Sequence, residues 1–430
     1  MAHIVNWGGT LNFKPAFLEY PQNEWQIADI VKKARGESKT VRVVGAGHSW
    51  TPLIRTDDYL LSLDKMQGLI SVGNLSAVIA GGTRLKLLGH LLFEQGLAME
   101  NLGDIDKQSI SGALSTGTHG TGMGFGVIAT QATEISFIDG TGEKRTLKDS
   151  DPDFKSVAVS LGAMGVITSV RLRLLPAYNL ECVKKKEKLD DTLAKIDDYR
   201  FNNRNFEFFW FPYSDYCAPK IFNVTDRKPI HRPLKKYLVD VIYENGTFKL
   251  VSEINRMAPS LSRRISRLAS SGLSSVSEVH NSHKIYATPR YVRFVEMEYG
   301  VPAEEGPAVM QKIRRFIAQN KIKVHFPLEY RYVRGDDLTL SPAYGRDTVF
   351  ISCHMYKGME YNRYFKGLEP IFLAHGGRPH WGKMHGLNAA DLRPKYPKWD
   401  EFMTVREKYD PDGVFLNPYL KQLFGIVKNR

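Results

Sequence analysis

Between Gly103 and Gly126 the chain reads GDIDKQSISGALSTGTHGTGMGFG, a run dominated by glycine, serine and threonine. Residues this small and polar leave little apolar matter to pack, yet Leu102, Ile110, Ala113 and Leu114 fasten the run to a core and exclude a long free loop. Such a segment is suited to lie against a large, flat, polar ligand, offering backbone N–H and side-chain O–H donors to phosphate and ring heteroatoms. A second glycine segment precedes it. Val41-Arg42-Val43-Val44 is a short β-branched run that breaks at Gly45-Ala46-Gly47-His48-Ser49. With no Cβ in the way, a strand running into Gly-x-Gly brings N–H groups close to a pyrophosphate; a plain tight turn would read the same way. The dinucleotide fingerprint of a doubly wound sheet demands a third glycine three residues on and a helix behind it. Here that place is Trp50, followed by Thr51-Pro52. That fold is excluded, while phosphate cradling survives.

Composition sets the frame. The 430 residues are 43% hydrophobic and 24% charged, the proportions of a folded protein with core enough for two or three domains. Cys182, Cys217 and Cys353 are far apart with no CxxC spacing, so neither a disulfide framework nor a metal site is expected, and the compartment reads as reducing. The net charge of +13 is spread along the chain rather than gathered beside aromatic or helix-turn-helix signals, which argues against nucleic acid. MAHIVNWGGT lacks the regions of a signal peptide, and there is no apolar run of about 18 residues to cross a bilayer. A soluble, cytoplasmic chain is expected. The basic amphipathic piece Leu261–Leu268 could touch a membrane surface, a solvated helix face being the preferred reading. Nothing in the pattern speaks to oligomeric state.

Along the first part, Ser76–Ala80 reads as a strand, and Thr83 opens a helix whose Leu85, Leu87, Leu88, Leu91 and Leu92 share a face, ending at Gly96. Thr133–Asp139 and Lys144–Leu147 flank the hairpin signal Gly140-Thr141-Gly142, and Val166–Leu175 is a strand closed by Pro176, where the first boundary falls. Beyond it, Phe201–Tyr216 is dense in aromatics and reads as a buried strand of a larger sheet. Tyr291–Tyr299 and Val324–Val333 alternate as strands, with a helix over Ala308–Gln319 behind Pro307.

The motifs taken together identify a family. Gly45-Ala46-Gly47-His48-Ser49 and Ser109-Ile-Ser-Gly-Ala-Leu-Ser-Thr-Gly-Thr-His-Gly120 resemble the two FAD-contacting segments of the vanillyl-alcohol-oxidase-type flavoproteins. Farther on, Phe326-Pro-Leu-Glu329-Tyr-Arg331, Leu340-Ser-Pro342, Gly376-Gly-Arg378-Pro-His-Trp-Gly-Lys383 and Tyr409-Asp-Pro-Asp-Gly413-Val-Phe-Leu-Asn417 are similar, in order and rough spacing, to the sugar-lactone and alditol oxidases of that type. The resemblance covers residues 5–225 and 285–425 and is weak between them. It implies an α+β fold: a two-subdomain FAD-binding domain over residues 1–176, a substrate (cap) domain with an antiparallel sheet and flanking helices over 177–404, and a segment over 405–430 that returns to the FAD domain.

The resemblance also implies roles. FAD would be bonded through the His48 imidazole to its C8 methyl, a link that raises its reduction potential. Val44, Gly45, Ala46, Gly47, Ser49, Ser109, Gly112, Ser115, Thr116, Thr118, His119, Gly122, Ile167, His380 and Lys383 would contact the cofactor. Oxidising an alcohol by hydride transfer needs the carbinol carbon held over flavin N5, and positive charge near N1 where the reduced ring becomes anionic. Glu329 and Arg331 stand two apart on a strand and so share a face, where a carboxylate and a guanidinium can grip vicinal hydroxyls; an ion pair on an exposed strand is the plainer alternative. Lys383 is the candidate cation for N1, and Ser109 resembles a family serine that reaches the substrate. Glu329, Arg331, Lys383 and Ser109 are thus the expected catalytic set, with His354 added for substrate binding. His354 falls where alditol oxidases carry a histidine, but one extra residue nearby shifts the match, and Met355-Tyr356 is closer to the lactone oxidases. The expected substrate is an aldono-1,4-lactone of the gulono or arabinono type, with dioxygen reduced to hydrogen peroxide. An alditol such as xylitol or sorbitol, and a lactone dehydrogenase with another acceptor, are the alternatives.

Overall fold

The computed structural model describes residues 3–229, 247–287 and 292–426. Tyr291, residues 230–246 of the basic middle region and the last four residues of the C-terminal segment lie outside them. The glycine turn hangs from a three-stranded parallel sheet in the order Phe17–Glu19, Tyr59–Ser62, Val41–Val44. Its crossover helix, Glu24–Gly36, starts at Asn23, whose side chain accepts the N–H of Gln26. Ile27, Val31 and Ala34 recur at helical spacing and bury against Val41, Tyr59 and Leu61. An antiparallel five-stranded sheet follows, in the order Lys144–Lys148, Ala132–Asp139, Gly165–Arg173, Ser76–Ala80, Leu69–Gly73. The expected hairpin is there, its turn closed by Asp139, which accepts the N–H groups of Thr141 and Glu143. The helix after Thr83 spans Leu85–Glu94, but its buried stripe is narrower than the leucine count implies. Leu85, Leu88 and Leu92 are inside, while Leu87 faces outward.

The larger sheet has nine strands, running Val276–Asn281, Asn179–Lys184, Tyr216–Val224, Asn205–Trp210, Leu328–Val333, Thr348–Tyr356, Phe294–Pro302, Arg378–Pro379, with Glu187–Lys188 alongside Tyr216–Cys217. Every pairing in it is antiparallel, so the molecule is α+β as expected. Its strands alternate in character. Tyr330, Tyr332, Ile351, Cys353, Met297 and Tyr299 pack in the same apolar cluster as Met310, Ile313, Ile317 and Phe372 of the helices Gly306–Gln319 and Asn362–Ala374. Glu329, Arg331, Ser352, His354, Glu296 and Glu298 hold the intervening positions on the opposite face.

One expectation changes, and a second gains detail. The aromatic stretch is not one strand: Asn205–Trp210 lies in the sheet's interior, Tyr216 opens the next strand, and Phe201 ends the helix Ile196–Phe201 and is 61% exposed, because the chain must turn at Asn202-Asn203 to enter the sheet. The basic piece does form a helix, Ser262–Ser271, but its buried stripe is Ser262, Ser266 and Ser270. Leu268 is left 73% exposed beside the outward arginines 263, 264 and 267. Ser266 donates to the Pro212 carbonyl and Ser262 to Asn255 Oδ1, so hydrogen bonds rather than leucines seat this helix. No helix among the described residues is long and apolar enough to cross a membrane.

Contacts of residues 118–126 and of the C-terminal segment help to join the parts of the molecule. The loop at 118–126 leaves the glycine-rich run and threads onto the nine-stranded sheet: Gly122 N–H donates to the Tyr332 carbonyl at 2.7 Å, Arg334 N–H to Phe125 at 2.8 Å, and Thr121 Oγ1 to the Phe206 carbonyl. Gly122 has φ +127°, and a Cβ there would strike the Arg204 carbonyl and Phe125, so only glycine fits this crossing. The C-terminal segment returns to the first sheet. Val41 N–H donates to the Val414 carbonyl at 2.8 Å, and Asn417 Nδ2 to the carbonyls of Pro52 and Arg55, each at 2.8 Å. The buried Arg42 guanidinium donates to the carbonyls of Leu53, Leu161, Gly162 and Phe415 at 2.6–2.8 Å.

Candidate active site

The turn Gly45–Ser49 is shaped from outside. Trp7 N–H donates to the Gly47 carbonyl and Asn6 Nδ2 to the Ser49 carbonyl, both at 2.8 Å, and Gly47 takes φ +67°. Below it lies a cavity of about 950 Å³, open mouth included, lined by Val44, Gly45, Ala46, Gly47, His48, Ser49, Ser109, Gly112, Ser115, Thr116 and Ile167 of the expected set. Arg42, Gly82, Gln108, Ser111, Leu161 and Gly162 line it as well. A Cβ at Gly45 would collide with Ser109 Oγ, so the two glycine-rich segments touch only because that side chain is missing. Ser109 itself caps the short helix Ile110–Ser115, accepting the Gly112 N–H.

His48 sits where this cavity meets its neighbour, stacked on Trp7 with ring centroids 5.2 Å apart. Burial, then Lys383 and Arg84, push its pKa down to about 4, so the imidazole is neutral. Its Nδ1 is buried with no hydrogen-bond partner among the described residues, as is Arg84 Nη1. Orphaned polar atoms are costly; His48 lines the glycine-rich cavity, and Arg84 Nη1 lies on the far side of the turn, 3.9 Å from where a Cβ on Gly45 would stand. The residues present therefore fit a bound dinucleotide such as FAD: backbone donors of the glycine turn and hydroxyls of Ser109, Ser115 and Thr116 for the pyrophosphate, and His48 Nδ1 for a ring to bond.

Beyond the turn stands a buried cluster of charge. Arg331 Nη2 meets Glu298 Oε1 at 2.8 Å, its Nε meets Glu329 Oε1 at 3.3 Å, and its Nη1 faces Asp104 at 3.8 Å. Lys383 Nζ is paired with Glu296, lies 3.9 Å from Glu298 and rests on the Trp50 ring at 4.5 Å. Its placement follows from the backbone. Residues 380–384 run beside the strand Phe294–Pro302, with N–H groups of His380 and Met384 donating to the carbonyls of Glu298 and Glu296. Trp50 N–H donates in turn to the Gly382 carbonyl at 2.7 Å, tying the lysine loop to the glycine turn.

Burial alone would raise the Glu296 carboxyl, but Lys383 and His354 outweigh it and hold it at about 2. Glu298 is likewise held well below the usual range, against burial, by Arg331, His119 and Lys383. His119 stacks on Phe350 at 3.8 Å, with Nδ1 at 2.9 Å from the Gly120 carbonyl and Nε2 at 3.3 Å from Glu298. Burial and Arg331 lower its pKa. His380 accepts the Gly382 N–H on Nδ1, so its proton is on Nε2, and burial drives its pKa to about 3. His354 places Nδ1 at 2.9 Å from the Pro327 carbonyl and Nε2 at 3.5 Å from Glu296.

The buried histidines held neutral, His380 and His325 among them, make stability fall in mild acid. A histidine neutral in the fold but protonated near 6.5 when unfolded stabilises the protein fully above 6.5, and that stability is lost as pH falls toward the folded value. His380, at about 3, and the equally buried His325, at about 4, each forfeit about 1.4 kcal/mol at a pH one unit below 6.5. These two rings therefore contribute a loss of about 3 kcal/mol between pH 7.5 and 5.5. His48 and His385, also held at about 4, add to it. Urea unfolding is expected to show at least that loss, above the range where Glu296 and Glu298 titrate.

The structure thus divides the expected residues between two neighbouring places. Eleven of the expected cofactor residues, His48 and Ser109 among them, line the cavity, while Glu329, Arg331, His354, His119, His380 and Lys383 form or border the charged cluster. Thr118 stands between, bonded to Gln108 and Thr116. Gly122 lies at the crossing to the sheet, outside both. Sequence reasoning missed Glu296, Glu298, Asp104, Trp7 and Arg84. The first two had a signal: charged residues at every second place of Phe294-Val-Glu-Met-Glu-Tyr, inside an otherwise apolar strand.

Comparison with known proteins agrees with this geometry. Residues 15–148 match the FAD binding domain family, and residues 170–423 match the D-arabinono-1,4-lactone oxidase family. The chain is 37% identical to an L-gulono-1,4-lactone dehydrogenase of Mycobacterium tuberculosis over 98% of both proteins. It is 30% identical to the L-gulonolactone oxidase of Mus musculus over 97% of both. Its fold is shared with the cholesterol oxidase of Brevibacterium sterolicum, at TM-score 0.82 and 16% identity over 98% of this chain and 96% of that one. A chitooligosaccharide oxidase follows at TM-score 0.73 and 14% identity, over 96% and 93%. The cradle, the charged sheet face and these matches together make the chain an FAD-dependent oxidoreductase of the D-arabinono-1,4-lactone oxidase family.

Proposed function

We propose that the protein oxidises a carbinol of an aldono-1,4-lactone of the gulono or arabinono type, with FAD bonded to His48. The carrying observation is the Arg331–Glu329–Glu298 cluster, which is buried on the face of the sheet tied through Trp50 to the glycine turn. When bound, FAD supplies the acceptor for the carbinol hydride. The chain's own groups do the rest. Arg331 and Glu329 grip vicinal hydroxyls of the lactone, donor beside acceptor, in a site where burial strengthens every polar contact. Lys383, fixed between Glu296 and the Trp50 ring, provides the cation that stabilises charge growing on the acceptor. His119 Nε2 faces a carboxylate across 3.3 Å, which suits it to take up the hydroxyl proton. His354 is occupied between the Pro327 carbonyl and Glu296, and its role is to hold Glu296 against Lys383.

The neutral, partnerless Nδ1 of His48 supports the covalent bond. Acid-precipitated wild-type protein should keep its yellow colour in the pellet, and His48→Ala should lose it to the supernatant. A panel of lactones and alditols with peroxide detection then tests substrate and acceptor. Xylitol or sorbitol oxidised faster than every lactone would replace the lactone reading. The kinship with a protein named a dehydrogenase favours a second reading of the acceptor alone, in which lactone reduces the enzyme but air yields little peroxide.

A further inference from the structure

A second depression opens on the outer side of His48, sharing Ala46 and His48 with the cofactor cavity and enclosing about 1370 Å³, open mouth included. Its walls are part apolar and part cationic. The Trp7 ring, Leu87 and Ile105 give it aromatic and aliphatic surface. Arg84, Lys86 and Lys107 give it positive charge against a single carboxylate, Asp106. Arg84 is partly neutralised by Asp64, whereas neither Lys86 nor Lys107 makes an ion pair among the described residues. The buried cluster is of the opposite sign. Asp104, Glu207, Glu296, Glu298 and Glu329 outnumber Lys220, Arg331 and Lys383 there. It suits a neutral, hydroxyl-rich molecule and repels anions, while the outer depression attracts them.

An oxidoreductase has two substrates, and dioxygen, being small and neutral, needs neither charge nor an aromatic wall. We propose that the outer depression is the docking site of the electron acceptor, a small anionic aromatic quinone, held by Lys86 and Lys107 against the faces of Trp7, Leu87 and Ile105. This rests on the reading in which FAD is bonded at His48, because only then does the acceptor stand one side chain away from the ring. The overall exchange balances as R₂CHOH + quinone → R₂C=O + quinol. One C–H and one O–H bond break at the carbinol, the C=O bond forms, and two electrons and two protons finish on the quinone oxygens.

The test uses holoenzyme and the exposed double variant Lys86→Glu/Lys107→Glu. Calorimetry with 2-naphthalenesulfonate, which is redox-inert, reads binding without turnover. Anaerobic stopped-flow then follows reoxidation of lactone-reduced enzyme by 1,2-naphthoquinone-4-sulfonate and by an uncharged methoxybenzoquinone. Binding and the anionic quinone's second-order rate are both expected to fall about tenfold or more in the variant. The uncharged quinone and the rate of reduction by lactone should stay within about twofold. Raising salt from about 20 to 200 mM should erase most of the wild-type advantage. Equal binding by the two proteins, or no binding by either, overturns the proposal. A parallel loss of lactone reduction also overturns it, by making the depression the lactone's entrance. A colourless acid pellet from wild-type enzyme would instead refute the His48 link, and calorimetry would still report on the anion site.

Discussion

Replacing Arg331 by methionine is expected to lower kcat/KM for lactone about a thousandfold and to cost about 3–5 kcal/mol of stability. The two losses have separate causes. On the proposed reading, activity falls because the guanidinium that orients the hydroxyls is gone. Stability falls because Glu298, Glu329 and Asp104 are left sharing a buried site without the cation that offsets their charge. In the wild type Arg331 pays for taking those carboxylates out of water, and its own protonation is reinforced by Glu329, Glu298 and Asp104 against the pull of burial. A second substitution distinguishes the causes: Arg331→Met with Glu298→Gln removes one uncompensated charge and should recover part of the unfolding free energy, read by urea titration. It should recover none of kcat/KM. Recovery of activity would show that Arg331 acts only by neutralising Glu298.

Arg42→Met should be nearly as damaging to stability while touching no substrate. One guanidinium holds four main-chain carbonyls from three distant stretches, 53, 161–162 and 415. A hydrogen bond from a charged donor contributes about 1.5–3 kcal/mol, and abandoned buried carbonyls cost extra. Even with partial relaxation, the loss is expected to exceed about 4 kcal/mol. Burial lowers the Arg42 pKa to about 10, still far enough above neutrality that the guanidinium stays charged for the carbonyls it serves. Because Leu161 and Gly162 also line the cavity proposed for the cofactor, the variant should hold FAD less tightly. Thermal melts and the ratio of flavin to protein absorbance would check both effects, and a melt within a degree or two of wild type would refute the clamp.

What could be read from the sequence followed local periodicity and local turn chemistry. Glu329 and Arg331 sit where a period of two puts them, and the structure adds that their face is buried against the flavin half rather than exposed. Gly45–Ser49 announced a close backbone approach, and Gly45 proves to admit Ser109. What stayed hidden depends on contacts distant in sequence. Glu296 lies opposite His354 only through strand register, and Asp104 reaches Arg331 across more than two hundred residues. The helix Ser262–Ser271 presents its arginines and Leu268 to solvent, in keeping with its basic pattern, but its seating on serines was hidden, since the groove that receives it offers carbonyl and amide partners.

The passage of residues 118–126 onto the large sheet bears on how hybrids of such enzymes should be cut. His119, Thr121 and Gly122 are sequence neighbours of the cavity lining, yet Thr121 and Gly122 hydrogen-bond to strands 205–210 and 328–333, and the His119 ring stacks on Phe350 of strand 348–356. A chimera joined at residue 176 would pair one parent's crossing loop with the other's sheet and mismatch both. Grafting residues 118–126 together with the donor's sheet keeps the interlocking surfaces from a single ancestor, and such grafts should express and bind flavin where simple half-swaps precipitate.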